Sequence, residues 1–88
     1  MNNKHRKTLA AIFADPVSPS IAWADIEALF RALGAEISEG RGSRVQVNLN
    51  ERFAVFHRPH PQPTTDRDAV KSVRHFLVNA GVKEGVKP

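Results

Sequence analysis

The chain contains no cysteine among its 88 residues. That absence excludes disulfide frameworks and thiolate metal sites, so nothing in the composition requires an oxidising compartment. No window approaches the roughly 18 consecutive apolar residues that a membrane helix needs. The basic start, residues 4–7, precedes an apolar stretch that Asp15 and Pro16 end too early for a signal peptide. We therefore expect a soluble cytoplasmic protein.

The small size of the chain limits it to one domain. At 41% hydrophobic residues, two cores would leave each half too small to bury its apolar surface. Thirteen lysines and arginines against nine acidic residues give a formal net charge of +4. This balance favours anionic partners such as nucleic acid, although many small soluble proteins are mildly basic.

Two apolar patterns predict helices in the first part of the chain. Leu9, Ile12 and Phe13 have helical spacing and indicate a short first helix. A longer amphipathic helix follows, and its apolar stripe consists of Trp23, Ile26, Leu29, Phe30 and Leu33. Gly34 comes next, where a left-handed residue ends many helices.

After the second predicted helix, the periodicity changes from helical to alternating. Candidate strands lie around Ile37, at residues 45–49 and at residues 53–58. Asn50 and Glu51 form a tight turn between the second and third strands. The three strands predict an antiparallel meander.

The last part of the chain combines a connector with a third helix. Prolines alternate with other residues over residues 59–63, which removes backbone donors and predicts an extended connector. Thr65, with Asp68 three positions later, is close to a capping box at the start of a helix. The helix ends at Gly81, and its apolar stripe comprises Ala69, Val70, Val73, Phe76, Leu77 and Ala80.

This order of elements predicts an α+β fold in which helices cover one face of a three-stranded antiparallel sheet. It is the architecture of double-stranded-RNA-binding domains, with a short N-terminal helix added. We divide the chain into an N-terminal helix and linker at residues 1–20, the folded domain at residues 21–82, and a frayed tail at residues 83–88. The predicted core contains Trp23, Ile26, Phe30, Val45, Val47, Phe56, Val73, Phe76 and Leu77.

In their order along the chain, several short motifs in residues 21–82 resemble those of the HicA toxins of bacterial toxin–antitoxin pairs. The matching residues are Trp23, Asp25, Ile26 and Glu27, then Leu33, Gly34 and Ala35, then Gly42 and Ser43, the segment from Phe56 to Pro61, and finally Val73, Phe76, Leu77, Ala80 and Gly81. The resemblance implies a ribonuclease that cleaves mRNA without a metal and is held inactive by a HicB antitoxin.

The chain departs from the HicA pattern at one position. In the family, the glycine and serine are usually followed by a histidine assigned to catalysis, whereas here Arg44 takes that place. A guanidinium stays charged near neutral pH and cannot shuttle protons. Either another residue does the acid–base work, or this protein binds RNA without cutting it.

Histidines are the candidates for proton transfer, because the pKa of imidazole lies near neutral pH. His57 and His60 are the best placed. If the tight turn keeps its register, residues 44–48 pair with residues 53–57 in antiparallel order, and Arg44 lies opposite His57. An RNA phosphate would then meet a cation and an imidazole side by side. The alternative is that His57 only ends an exposed strand and His60 is a loop residue.

The remaining site predictions concern binding. We predict RNA contacts for Arg41, Gly42, Ser43, Arg44 and Arg58 near the hairpin and for Lys71 and Arg74 on the last helix. The alternative for the last helix is that its basic residues only face solvent, which would give the same sequence pattern. Phe53 and Val55 fall on the open face of the sheet, where apolar side chains favour an antitoxin interface as readily as RNA. We expect a monomer in the free state and neither metal nor cofactor, because two histidines in an extended segment lack further ligands.

Overall fold

The computed structural model describes residues 2–82, so the predicted tail at residues 83–88 lies outside the described residues. The elements are α1 (Asn3–Ile12), α2 (Trp23–Ala32), β1 (Glu36–Glu39), β2 (Arg44–Leu49), β3 (Arg52–His57) and α3 (Arg67–Asn79). The predicted α+β fold is confirmed, with an N-terminal helix in front of the remaining elements. Within residues 2–82, no helix is long and apolar enough to cross a membrane.

The sheet is an antiparallel meander with strand order β1-β2-β3. Its register between β2 and β3 is the predicted one, running from Arg44 opposite His57 to Leu49 opposite Arg52. Asn50 and Glu51 form the turn between these strands, with φ of 51° and 67°. Positive φ at both central residues is the type I′ geometry, whose twist matches that of the strands it joins. The turn length therefore sets which side chains share a face.

Alternation along β2 separates a buried face of the sheet from an open one. Val45, Val47 and Leu49 are buried, whereas Arg44, Gln46 and Asn48 are exposed. This period of two is expected for a strand with only one face against the core.

The core lies between the buried sheet face and the helices. All nine predicted core residues are buried. Four of them, Trp23, Phe30, Phe56 and Phe76, form an aromatic cluster in which Phe76 packs edge-on against both Phe30 and Phe56, with ring centroids 5.7 Å apart. Leu9 and Ile12 of α1 are buried in the same core, so the first helix packs against the domain.

The start of α3 differs from the sequence prediction. Its N-cap is Asp66, whose side chain accepts a hydrogen bond from Ala69 N at 2.7 Å, so the predicted capping by Thr65 is wrong. Thr65 is buried, and its backbone N–H donates to Ile21 O at 2.8 Å. Because that pairing holds Thr65 in an extended segment beside the start of α2, the helix begins one residue later. Aspartate is also the better N-cap.

Candidate functional site

The open sheet face carries Arg44 and His57 directly opposite each other. Arg44 is the first residue of β2 and His57 the last of β3, and both side chains are exposed. Opposed residues of an antiparallel pair have Cβ atoms about 4.5–5.5 Å apart, so one phosphate group can contact both side chains. The structure thus brings together the cation and the imidazole that the register predicted.

The second candidate histidine lies outside the sheet. His60 is exposed in the connector between β3 and α3, three positions beyond His57. Within the part of the chain that the structure describes, no hydrogen bond fixes its side chain. His60 is therefore near the end of the hairpin, but the fold does not hold it against Arg44.

Backbone hydrogen bonds shape the loop that precedes Arg44. Gly40 N donates to Arg44 O at 2.8 Å, and Arg58 N donates to Ser43 O at 2.9 Å. Gly42 has φ of +62°, a left-handed conformation that glycine adopts without a Cβ penalty. The predicted contact residues Arg41, Gly42 and Ser43 are all exposed at this end of the hairpin.

Arg58, which follows His57, is held between two carboxylates. Its guanidinium donates to Glu27 (Nε to Oε2, 2.7 Å; Nη2 to Oε1, 3.1 Å) and to Glu39 (Nη1 to Oε1, 2.6 Å; Nη2 to Oε2, 2.8 Å). The side chain of Glu27 is 8% exposed and also accepts the indole N–H of Trp23. The network therefore fastens the end of β3 to α2 and β1.

These contacts shift the pKa of each partner. Hydrogen bonds from Arg58 hold the pKa of the Glu27 carboxyl below its usual range, against the opposite effect of burial. The same guanidinium lowers the pKa of Glu39, and its bonds to Glu27 and Glu39 raise the pKa of Arg58. All three groups are thus held in their charged forms.

Sequence reasoning missed this network. The one available signal was the position of Glu27, four residues after Trp23 on the apolar stripe of α2. A carboxylate on a buried face requires a charged or hydrogen-bonding partner. The pattern did not identify Arg58 as that partner.

Arg74 and Lys71 have different surroundings on α3. Arg74 donates through Nε to Ile12 O and through Nη2 to Ala14 O, each at 2.9 Å, and its guanidinium lies over the Phe13 ring, 5.9 Å from the centroid. It therefore binds carbonyl groups at the end of α1. Lys71 is exposed. The two residues that sequence reasoning grouped together are thus a helix-docking arginine and a solvent-facing lysine.

The two apolar residues predicted on the open face are exposed there. Phe53 is 61% exposed and Val55 is 42% exposed. Asn48 lies opposite Phe53 and Gln46 lies opposite Val55, in the same row of side chains as Arg44 and His57. Among residues 2–82, no group of three or more His, Cys, Asp or Glu side chains is arranged to hold a metal ion.

A comparison with family models identifies the chain's relatives. The model described as the HicA toxin of bacterial toxin–antitoxin pairs matches residues 23–82, which is more than half of the chain. The chain belongs to the HicA toxin family. The family match begins at the first residue of α2, so α1 precedes the matched region. Comparisons with curated proteins and with solved structures gave no match.

Proposed function

We propose that this HicA toxin is an endoribonuclease that cleaves mRNA without a metal ion and is neutralised by a HicB-type antitoxin. Membership of a toxin family supports the biological role. The observation that carries the chemical proposal is the pairing of exposed Arg44 and His57 across the end of the hairpin. A guanidinium binds a phosphate through two parallel hydrogen bonds, and an imidazole exchanges protons near neutral pH.

In the proposed reaction, His57 removes the proton from a ribose 2′-OH while Arg44 holds the adjacent phosphate. The 2′-oxygen attacks phosphorus, the bond to the 5′-oxygen breaks, and a 2′,3′-cyclic phosphate forms. His60 donates a proton to the departing 5′-oxygen. His57 lies directly opposite Arg44, where the phosphate would be held, so we assign it the role of base and His60 the role of acid. For this role the His60 side chain must reach the 5′-oxygen when RNA is bound.

The proposed RNA contacts outside this pair lie in two separate places. The exposed loop of Arg41, Gly42 and Ser43 lies next to Arg44 and would contact the sugar–phosphate backbone. Lys71 offers a separate exposed cation on α3. For Arg58 and Arg74, contact with RNA stays a prediction with less support, because carboxylates and carbonyl oxygens already bind their guanidinium groups.

A HicB-type antitoxin is the proposed protein partner, and the open sheet face is its proposed binding surface. Phe53 and Val55 expose apolar area to water on this face, along the edge strand β3. Apolar side chains of this kind are common anchors of protein interfaces. An antitoxin bound there would cover His57 as well, because the three residues alternate along β3.

The second candidate function is a non-catalytic RNA-binding module, or a degenerate toxin that binds only its antitoxin. Arg44 favours this candidate, because it stands at the position where HicA toxins usually have the histidine assigned to catalysis. Under this alternative the Arg44 and His57 pair binds phosphate without transferring a proton.

Cleavage of a defined mRNA by the purified chain in the presence of a chelator distinguishes the two functions. We expect wild-type activity to persist with the chelator. His57→Ala and His60→Ala should each lose about 100-fold or more, as is usual when a general acid or base is removed. His75→Ala is the matched control, because His75 is an exposed histidine on α3.

Circular dichroism must show that each variant keeps the wild-type fold. Full activity of His57→Ala would contradict the assignment of the base. An inactive wild type that still binds RNA would support the binding module instead, and expression in cells would then cause neither growth arrest nor mRNA loss.

A further inference from the structure

We propose that the open sheet face contains a subsite for one RNA base, built around Phe53. The proposal rests on the proposed ribonuclease function, because it assigns a specificity-determining site on the same sheet face as the reacting phosphate. Its direct test is RNA binding, which does not require cleavage.

The subsite is a shallow depression beside an exposed aromatic ring. Its volume is about 440 Å³, within the rough range of 300–1,000 Å³ for small-ligand pockets. It is lined by Glu36, Ile37, Ser38, Gln46, Asn48 and Phe53. Phe53 lies opposite Asn48 in the β2 and β3 pairing, and Glu36 lies opposite Asn48 on the β1 side. The aromatic ring of Phe53 from β3 and polar side chains from β1 and β2 thus meet at one place.

The chemistry of this depression matches a nucleobase. Every base has a π-face, and stacking on exposed aromatic side chains of a sheet is a common way to bind single-stranded RNA. The amides of Gln46 and Asn48 each carry a donor and an acceptor for the edge of a base. Ser38 Oγ is 3.4 Å from Gln46 Oε1, and donation from the hydroxyl leaves the two N–H groups of that amide to face a ligand.

Charge favours RNA in a defined orientation. The Glu36 carboxylate only accepts hydrogen bonds, so it suits the exocyclic amine of adenine, cytosine or guanine and repels a phosphate. Arg44 lies at the opposite end of β2, where it attracts a phosphate. The face is therefore acidic and polar at the base subsite and basic at the proposed cleavage site.

The spacing connects the subsite with the reacting groups. Phe53 and His57 are four residues apart on the same face of β3, which corresponds to about 13 Å at ~3.3 Å per residue. Val55 lies between them and is partly exposed. A single strand laid along β3 would place a base on Phe53 and a phosphate, a short run of nucleotides away, at Arg44 and His57. The subsite would thus select which phosphate is cut, and an antitoxin on this face would exclude the base.

The test measures binding of short single-stranded RNA with 2′-O-methyl riboses, which cannot form the attacking 2′-oxygen. Fluorescence anisotropy compares the wild type with Phe53→Ala, Phe53→Leu and Phe53→Trp. We expect Ala and Leu to weaken binding by about fivefold or more and Trp to retain it, since stacking requires an aromatic ring. Val78→Ala is the control, because Val78 is also exposed, at 46%, but lies on α3.

A second comparison tests whether the subsite discriminates between bases. We expect the wild type to bind adenine- or cytosine-containing oligonucleotides more tightly than oligouridine, and Glu36→Gln to reduce that preference. Wild-type RNA affinity in Phe53→Leu would overturn the stacking proposal. The proposal would also be overturned if the Phe53 variants bound RNA as the wild type does but lost antitoxin binding. The open sheet face would then bind protein alone. Binding that depends on Phe53 in a chain that cleaves no RNA would support the subsite and contradict the ribonuclease.

Discussion

Glu27 and Arg58 form a two-point ion pair that joins α2 to the end of β3. Arg58 Nε is 2.7 Å from Glu27 Oε2, and Nη2 is 3.1 Å from Oε1. The carboxylate is nearly buried and also accepts the Trp23 indole N–H, so its charge depends on these donors. Because Arg58 directly follows His57, this ion pair also helps to fix the position of His57, the proposed general base, at the end of β3.

This ion pair predicts a pH-dependent contribution to stability. The folded-state pKa of Glu27 is lowered from 4.5, so its contribution is present above that value and is lost as the pH falls through the folded-state pKa. We expect Glu27→Gln to lower the free energy of unfolding by about 1–3 kcal/mol at pH 7. Below pH 4.5 the difference from wild type should shrink, and urea denaturation across pH measures it.

Glu39→Gln is the control for this prediction, because Glu39 is the exposed partner of the same guanidinium. Its effect on unfolding should be smaller than that of Glu27→Gln. A constant difference between wild type and Glu27→Gln from pH 7 to pH 3 would show that the charge of Glu27 does not stabilise the fold.

Local patterns were sufficient to predict the sheet register and its consequence for the site. The turn at Asn50 and Glu51 and the alternation along β2 leave one register that buries the apolar residues, and it places Arg44 opposite His57. The partners of the long basic side chains were not predictable in the same way. Arg58 reaches a residue 31 positions away and Arg74 one 62 positions away. A periodic pattern predicts which face of a helix or strand a residue lies on. Its hydrogen-bond partner on a distant element depends on how the elements pack, which the pattern does not contain.

Arg74 should contribute to stability through α1. Arg74→Ala removes two hydrogen bonds to backbone carbonyls at the end of that helix, and the loss should cost about 1–3 kcal/mol in the free energy of unfolding. Arg74→Lys keeps the charge but lacks the planar fork, so it should recover only part of the loss. Lys71→Ala on the same helix should change stability little. Chemical denaturation of the three variants tests this order, and equal stability of Arg74→Ala and wild type would contradict it.

Lys71 should act on RNA binding instead. If Lys71 contacts a phosphate, Lys71→Ala weakens binding to every RNA sequence and lowers the slope of log K against log salt concentration by about 0.7–0.9. Binding titrations at several salt concentrations provide the slope. An unchanged slope would show that this exposed lysine is only solvated.

The open sheet face should bind the antitoxin through its two apolar side chains. Replacing both Phe53 and Val55 by alanine should lower the affinity for a HicB-type antitoxin by about tenfold or more, the effect expected when apolar anchors of an interface are truncated. Isothermal titration calorimetry with purified proteins measures the affinity directly, so the result does not depend on toxicity. Val78→Ala, on the exposed side of α3, should bind as the wild type does. An unchanged affinity of the double variant would place the antitoxin elsewhere.

The hairpin turn contains a strained residue whose replacement should stabilise the protein. Glu51 has φ of 67°, and the left-handed region costs a residue with a Cβ atom about 1 kcal/mol or more. Glycine is preferred at this position of a type I′ turn, so Glu51→Gly should raise the free energy of unfolding by about 0.5–1 kcal/mol. Asn50→Gly should not stabilise the protein, although Asn50 also has positive φ. The Asn50 side chain donates a hydrogen bond to Ala80 O at 2.8 Å, which ties the turn to the end of α3 and would be lost. Urea denaturation of the two variants measures the contrast. If Asn50→Gly stabilised the protein as much as Glu51→Gly, the bond to Ala80 would contribute nothing, and backbone strain alone would govern this turn.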